Sequence, residues 1–102
     1  MTRNSRSIKL PYVIVQSVND AKSAHVRATY KQHFLELQME RRSHRDGFGW
    51  FGEVIVDGRM LWRSPSTFAR ETKEVLEMEL QLQLFHWALR QGYVAAGGAL
   101  MA

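Results

Sequence analysis

Hydrophobic and polar positions along the chain predict a β-rich first half and a long final helix. The run "LPYVIVQSV" is β-branched and predicts a strand from Tyr12 to Val18, with Pro11 at its start. Alternation in "FLELQME" predicts a second strand from about Gln32 to Arg42. Helical spacing of apolar residues after the potential cap Asn19–Asp20 leaves a helix over residues 20–40 open as the alternative.

The segment "GFGWFGEVIVDGRMLWRS" predicts a β-hairpin. Asp57–Gly58 is a strong signal for a two-residue type I′ turn, which would place Val54 opposite Leu61 and Glu53 opposite Trp62. One side of this hairpin would show Trp50, Val54, Val56 and Leu61, and the other Phe51, Ile55, Met60 and Trp62. Both sides are apolar, so a further surface must cover the second side, and the pattern leaves open which side is the core.

The C-terminal stretch predicts a helix with two apolar stripes. Ser64–Thr67 is typical of a helix start and Gly92 of a C-cap, although "LEMELQLQL" alternates with period two. Strong helix formers dominate this run and favour the helix over a strand. Wound at 100° per residue, the pattern separates two stripes. They are Leu76, Leu80, Leu84, Trp87 and Ala88 on one side and Val75, Met78, Leu82, Phe85 and Leu89 on the other.

These elements predict an α+β fold in which an antiparallel meander of three to four strands is packed by one long C-terminal helix. At 102 residues the chain has room for one domain, assigned to residues 10–93 between a flexible basic N-terminus, 1–9, and a flexible tail, 94–102. Tyr30 to Leu89 resembles small uncharacterised β-proteobacterial proteins. The shared pattern is carried by Tyr30, His33, Leu35, Leu37, Gly49, Trp50, Asp57, Gly58, Ser64 and Phe68. This resemblance implies a sheet closed by a helix and supplies no activity.

Composition argues against several classes of function. The chain has no cysteine and no apolar run long enough for a membrane span or a secretory signal, so a soluble, cytoplasmic protein is expected. Its four histidines lack metal-ligand spacing, and no catalytic motif occurs. Asp46 and Glu53, with His44 nearby, could form an acid–base pair, but nothing in the sequence fixes their geometry. We therefore expect no enzyme activity, no metal and no cofactor.

Two interaction functions are left. The two-sided hairpin and helix favour a non-catalytic module that binds a protein or a second copy of itself, through Phe51, Trp62, Met78, Leu82 and Phe85. The alternative is nucleic-acid binding by the basic N-terminus and by Arg41, Arg42, Arg45, Arg59 and Arg63 beside aromatic residues. A net charge of +4 permits it, but six of the fourteen basic residues and one of the ten acidic residues lie in residues 1–32. The acidic start of the final helix would repel phosphate, which makes nucleic acid the less favoured partner.

Overall fold

A computed structural model describes residues 10–44, 47–65 and 72–94. The fold is α+β, as predicted, but its single antiparallel sheet has five strands in the order β1-β2-β3-β4-β5 rather than three to four. The strands are β1 (Val13–Asn19), β2 (Ser23–Tyr30), β3 (His33–His44), β4 (Gly47–Val56) and β5 (Arg59–Arg63), and the helix is α1 (Lys73–Gln91). The predicted flexible N-terminus, and the predicted tail from residue 95, lie outside the described residues.

Residues 20–40 form two strands, and the helical alternative for them is wrong. Asp20 does not cap a helix: its Oδ1 accepts hydrogen bonds from the backbone N–H groups of Lys22 and Ser23, both at 2.9 Å, and closes a turn between β1 and β2. A second turn at Lys31, with φ of 57°, separates β2 from β3. Every second residue of β2 points toward the core, and three of these, Ala24, Ala28 and Tyr30, are buried. The helical spacing of other apolar residues in this segment masked that alternation.

The β4–β5 hairpin follows the predicted register for only two pairs. Asp57 and Gly58 have the positive φ values, 52° and 80°, that the predicted turn requires. Beyond Ile55–Met60 a bulge adds Leu61 to β5, so that Val54 faces Trp62 and Glu53 faces Arg63. The predicted pairs Val54–Leu61 and Glu53–Trp62 are therefore wrong. Because an extra residue reverses the alternation, Trp62 lies on the same side of the sheet as Val54.

Of the two apolar stripes predicted for helix α1, the first is buried along its whole length. Thr72 is its N-cap and accepts a 3.2 Å bond from the Val75 N–H; Gly92, with φ of 81°, is its C-cap. The helix therefore begins later than the predicted start at Ser64–Thr67. Every member of the first stripe is buried, namely Leu76, Leu80, Leu84, Trp87 and Ala88.

The core lies between α1 and one side of the sheet, chiefly β3 and β4. Gly52 of β4 faces the helix, because a Cβ built there would lie 3.1 Å from a Leu76 methyl group. The chain before β1 contributes to the same core: Leu10 is buried, and the Tyr12 hydroxyl accepts a 2.7 Å bond from the Gln81 amide. Val94, at the far end, is buried there too. The side of the sheet that faces α1 is called the helix side below.

Candidate interaction surface

The opposite side of the sheet is not covered by any described helix or strand. Since Gly52 faces α1, its neighbours in sequence and their cross-strand partners point away from the helix. We call this side the open face. On β2 to β5 it includes His25, Arg27, Phe34, Glu36, Gln38, Glu40, Arg42, Phe51, Glu53, Ile55, Met60 and Arg63.

Two of the three arginines on the open face, Arg42 and Arg63, are ion-paired with neighbouring glutamates. Arg42 Nε lies 2.7 Å from a Glu40 carboxylate oxygen, Arg63 lies 3.0 Å from Glu53, and His25 Nε2 lies 3.1 Å from Glu36. Such half-exposed pairs contribute about 0.2–1 kcal/mol each, so they do little for stability. The two Arg–Glu pairs mainly offset the positive charges of Arg42 and Arg63.

Phe51, a predicted contact residue, is largely hidden on this face. The Arg42 guanidinium lies 5.2 Å from its ring centroid, a cation–π distance, and only 9% of Phe51 remains exposed. A shallow cleft of about 190 Å³ beside it is lined by Glu40, Arg42, Glu53 and Arg63. Phe51 itself also lines the cleft, so its walls are partly charged and partly apolar.

The five predicted protein-contact residues do not share one surface. Phe51 lies on the open face, whereas Trp62 lies on the helix side, half-buried against the core. Phe85 is buried, Leu82 is half-buried, and Met78 is 71% exposed on α1. The second helix stripe is thus partly core, because Phe85 packs in the core while Met78 at the other end of the stripe stays exposed.

Trp62 is the position at which a core role and a contact role predict different results. Since it packs against the core, we expect Trp62→Ala to lower the free energy of unfolding by roughly 2 kcal/mol, less than the full cost of deleting a buried tryptophan. Chemical denaturation followed by circular dichroism measures this loss. Unchanged stability, together with weaker self-association, would instead mark Trp62 as a contact residue.

The predicted nucleic-acid arginines are also divided between surfaces. Arg42 and Arg63 lie on the open face and are both ion-paired. Arg41 is opposite Trp50 and Arg59 is opposite Val56, so both belong to the helix side; Arg41 stacks on Phe48 at 4.3 Å. Arg45 lies outside the described residues. The described arginines therefore form no continuous basic stripe.

Strand β1 carries an exposed apolar surface that the sequence analysis did not single out. All seven of its residues are exposed, and Val13, Ile14, Val15 and Val18 keep 66%, 52%, 64% and 50% of their surface. It is an edge strand that pairs only with β2 among the described strands. The available signal was the absence of any charge in "VIVQSVN", since exposed edges commonly carry charges that prevent pairing.

A hydrogen-bonded cluster joins three distant parts of the chain. His33 Nδ1 lies 2.7 Å from Asp57 Oδ2, and His33 Nε2 lies 2.7 Å from the Tyr93 hydroxyl. The hydrogen bond from His33, and then the one from the Phe34 N–H, hold the pKa of Asp57 below its ordinary value. The sequence pattern places Asp57 in a turn and gives His33 no metal-ligand spacing. Sequence reasoning missed their link to Tyr93 because that residue lies sixty positions further along the chain.

The described residues give no support for the acid–base group or the metal site weighed from the sequence. Glu53 is bonded to Arg63, and Asp46 lies outside the described residues. Within the described ranges, no three His, Asp or Glu side chains are grouped as metal ligands would be. None of the described helices combines the length and apolar character that a membrane crossing requires.

Fold and surface together define a small α+β protein: a five-stranded antiparallel meander with one helix on a single side and an apolar edge strand. Neither a family of proteins, a curated protein nor a solved structure matches the chain. The resemblance to β-proteobacterial proteins stays a prediction.

Proposed function

We propose that this protein is a non-catalytic module that associates with a second copy of itself through the outer edge of β1. The single observation that carries the proposal is the exposure of four aliphatic side chains on an uncharged edge strand. An edge strand presents unpaired backbone N–H and C=O groups, and pairing with another strand satisfies them. Two five-stranded sheets would then join into one.

The apolar side chains of β1 suit pairing because they project to both sides of the sheet. Ile14 is opposite Ala28 and so lies on the helix side, whereas Val13 and Val18, opposite Thr29 and His25, lie on the open face. A neighbouring strand would cover both sets at once. One bulge at Val15 interrupts the pairing with β2, and Gln16–Asn19 continue in regular register.

A second copy is the partner that the charge distribution favours. Two copies of β1 can approach one another without charge repulsion, because the strand contains no ionisable side chain. A twofold axis brings the same patch of each copy together, so a self-complementary strand needs no other partner surface. The opposite edge is less suitable, since β5 has five residues and an arginine at each end.

Nucleic-acid binding is the alternative function, and fewer observations favour it. Arg27 lies 5.7 Å from the Phe34 ring centroid, so the open face has one further arginine–aromatic pair beside Arg42–Phe51. Phosphate would have to displace the carboxylates that already neutralise Arg42 and Arg63. The favoured function is therefore self-association.

Val15→Lys tests the proposal. We expect the wild-type chain to sediment as a dimer at tens of micromolar, and the lysine variant to dissociate at least about tenfold more readily, since it buries an unpaired charge at the interface. Analytical ultracentrifugation over a concentration series measures both constants. Met60→Lys is the matched control, because Met60 is 50% exposed on β5, at the opposite edge of the sheet from β1, and the change should leave the dimer unchanged.

Three results would contradict the proposal: a wild-type chain that stays monomeric at about 100 µM, a Met60→Lys variant that dissociates as readily as Val15→Lys, or an unaltered Val15→Lys dimer. Titration of a labelled single strand and a labelled duplex at low salt separates the alternative function. If the chain is monomeric and binds either nucleic acid with an affinity that falls steeply as salt is added, nucleic-acid binding would be favoured over self-association.

A further inference from the structure

The Asp57, His33 and Tyr93 cluster has the arrangement of an activated nucleophile. We propose that Asp57 and His33 form a relay that withdraws the hydroxyl proton of Tyr93 and makes its oxygen an acceptor for activated acyl groups, such as those of esters. The proposal is independent of self-association, because none of these residues belongs to β1. It adds a chemical reactivity at one residue that the proposed non-catalytic function does not include.

The relay begins with a carboxylate that is fixed in place. Asp57 occupies the first central position of the β4–β5 turn, and its Oδ1 accepts a 2.9 Å hydrogen bond from the Phe34 N–H. Its own N–H bonds the Phe34 carbonyl at 2.8 Å. The carboxylate has only acceptor atoms when ionised, so the atom 2.7 Å from it, His33 Nδ1, must carry a proton.

The state of Nδ1 decides the role of the other ring nitrogen. With Nδ1 protonated in the neutral imidazole, Nε2 is an acceptor, and the Tyr93 hydroxyl at 2.7 Å donates to it. A nucleophile bonded to a base, and that base oriented by a third group, is the general arrangement by which weak hydroxyl nucleophiles are activated. Asp57 is a positioning residue here, because it acts through His33.

Neighbouring groups support this role for Tyr93. The Trp87 and His33 rings are nearly perpendicular, with centroids 4.9 Å apart, and this packing holds the imidazole in orientation. The Lys31 ammonium lies 5.2 Å from the centroid of the Tyr93 ring. A cation at this position favours negative charge as it develops near Tyr93 during attack on a carbonyl carbon.

The acyl-transfer step balances within the site. The Tyr93 oxygen forms a bond to the carbonyl carbon of the ester while its proton passes to His33 Nε2. The carbon–oxygen bond to the leaving group then breaks, its electron pair departs with the alkoxide or phenoxide, and Nε2 returns the proton to that group or to solvent. The products are an acyl ester on Tyr93 and a free alcohol or phenol.

The chain contains three tyrosines, two of which serve as internal controls. In its hydrogen bond with the Gln81 amide the Tyr12 hydroxyl is the acceptor, and Tyr30 is buried with 6% exposed. On incubation with p-nitrophenyl acetate, we expect mass spectrometry to find the acetyl ester on Tyr93 roughly 100-fold faster than on Tyr12, the lower range for a positioned general base.

Two variants test whether Tyr93 is labelled because of the relay or only because it is accessible to the reagent. His33→Gln removes the base, and Asp57→Asn keeps a residue that suits the turn but donates a proton toward Nδ1 and inverts the tautomer of His33. Both should reduce Tyr93 labelling to the Tyr12 rate, while ¹⁵N chemical shifts of the His33 ring report the tautomer. Circular dichroism checks the fold of each variant, and Val15→Lys should label like wild type.

Equal labelling of Tyr93 and Tyr12 in the wild-type protein would overturn the proposal, and so would a folded Asp57→Asn protein that keeps full labelling. An acetyl group on Lys31 or His33 instead of Tyr93 would equally contradict it. Because the readout is a modification at one residue, it fails or succeeds independently of the dimer measured by sedimentation.

Discussion

Leu84→Ala is expected to lower the free energy of unfolding by about 3–5 kcal/mol, as for other fully buried leucines. Leu84 has none of its surface exposed and lies in the row of α1 that packs on the sheet. Truncation removes its apolar transfer free energy and leaves a cavity that the five-stranded sheet cannot close. For a domain of this size the loss is a large part of the total stability.

Urea denaturation at one fixed protein concentration measures this effect, since self-association would make stability depend on concentration. Met78→Ala is the control on the same helix: Met78 is 71% exposed, so its truncation should change stability by no more than about 0.5 kcal/mol. Equal losses for the two variants would show that α1 does not pack on the sheet through the Leu76–Leu80–Leu84 row.

Gly52→Ala is expected to cost about 1–3 kcal/mol, although alanine is one methyl group larger. A Cβ at this position would lie 3.0 Å from the Gln38 carbonyl oxygen and 3.1 Å from a Leu76 methyl group. Both contacts are closer than side chains normally adopt, so helix and sheet would have to separate locally. The methyl group has no other direction in which to move, because Gly52 is buried.

A double-mutant cycle with Leu76→Ala identifies the cause. Leu76→Ala alone should cost several kcal/mol, but it also makes room for the new Cβ, so the double variant should be more stable than additivity predicts by about 1 kcal/mol. Strict additivity would show that the clash lies with the Gln38 backbone rather than with the helix. Wild-type stability of Gly52→Ala would contradict the close approach altogether.

The order of elements in the second half of the chain could be predicted from local chemistry. Asp57–Gly58 specified its turn because these residues tolerate positive φ, and Gly92 ended the helix for the same reason. Helix propensity correctly outweighed the period-two pattern of residues 76–84. In residues 20–40 local patterns were ambiguous, because Ala24, Val26 and Ala28 satisfy a strand while Val26, Tyr30 and Phe34 satisfy helical spacing.

The candidate surfaces were less predictable than the fold. An extra residue at Leu61 moved Trp62 to the other side of the sheet, and no local signal distinguishes that bulge from regular pairing. Phe51 was expected to be an exposed anchor, but Arg42 covers it. The exposure of β1 depends on strand order, which places it at an edge rather than in the centre of the sheet.

The sequence by itself determined the α+β class, the hairpin turn and the end of the final helix at Gly92, because each depends on interactions between residues a few positions apart. Only the tertiary structure decided which side of the sheet α1 covers, which strand lies exposed at the edge, and that His33 meets both Asp57 and Tyr93. Those outcomes depend on contacts across 24 and 60 positions of the chain. Such contacts are set by strand order and by packing against the helix, and neither leaves a periodic signal in the sequence.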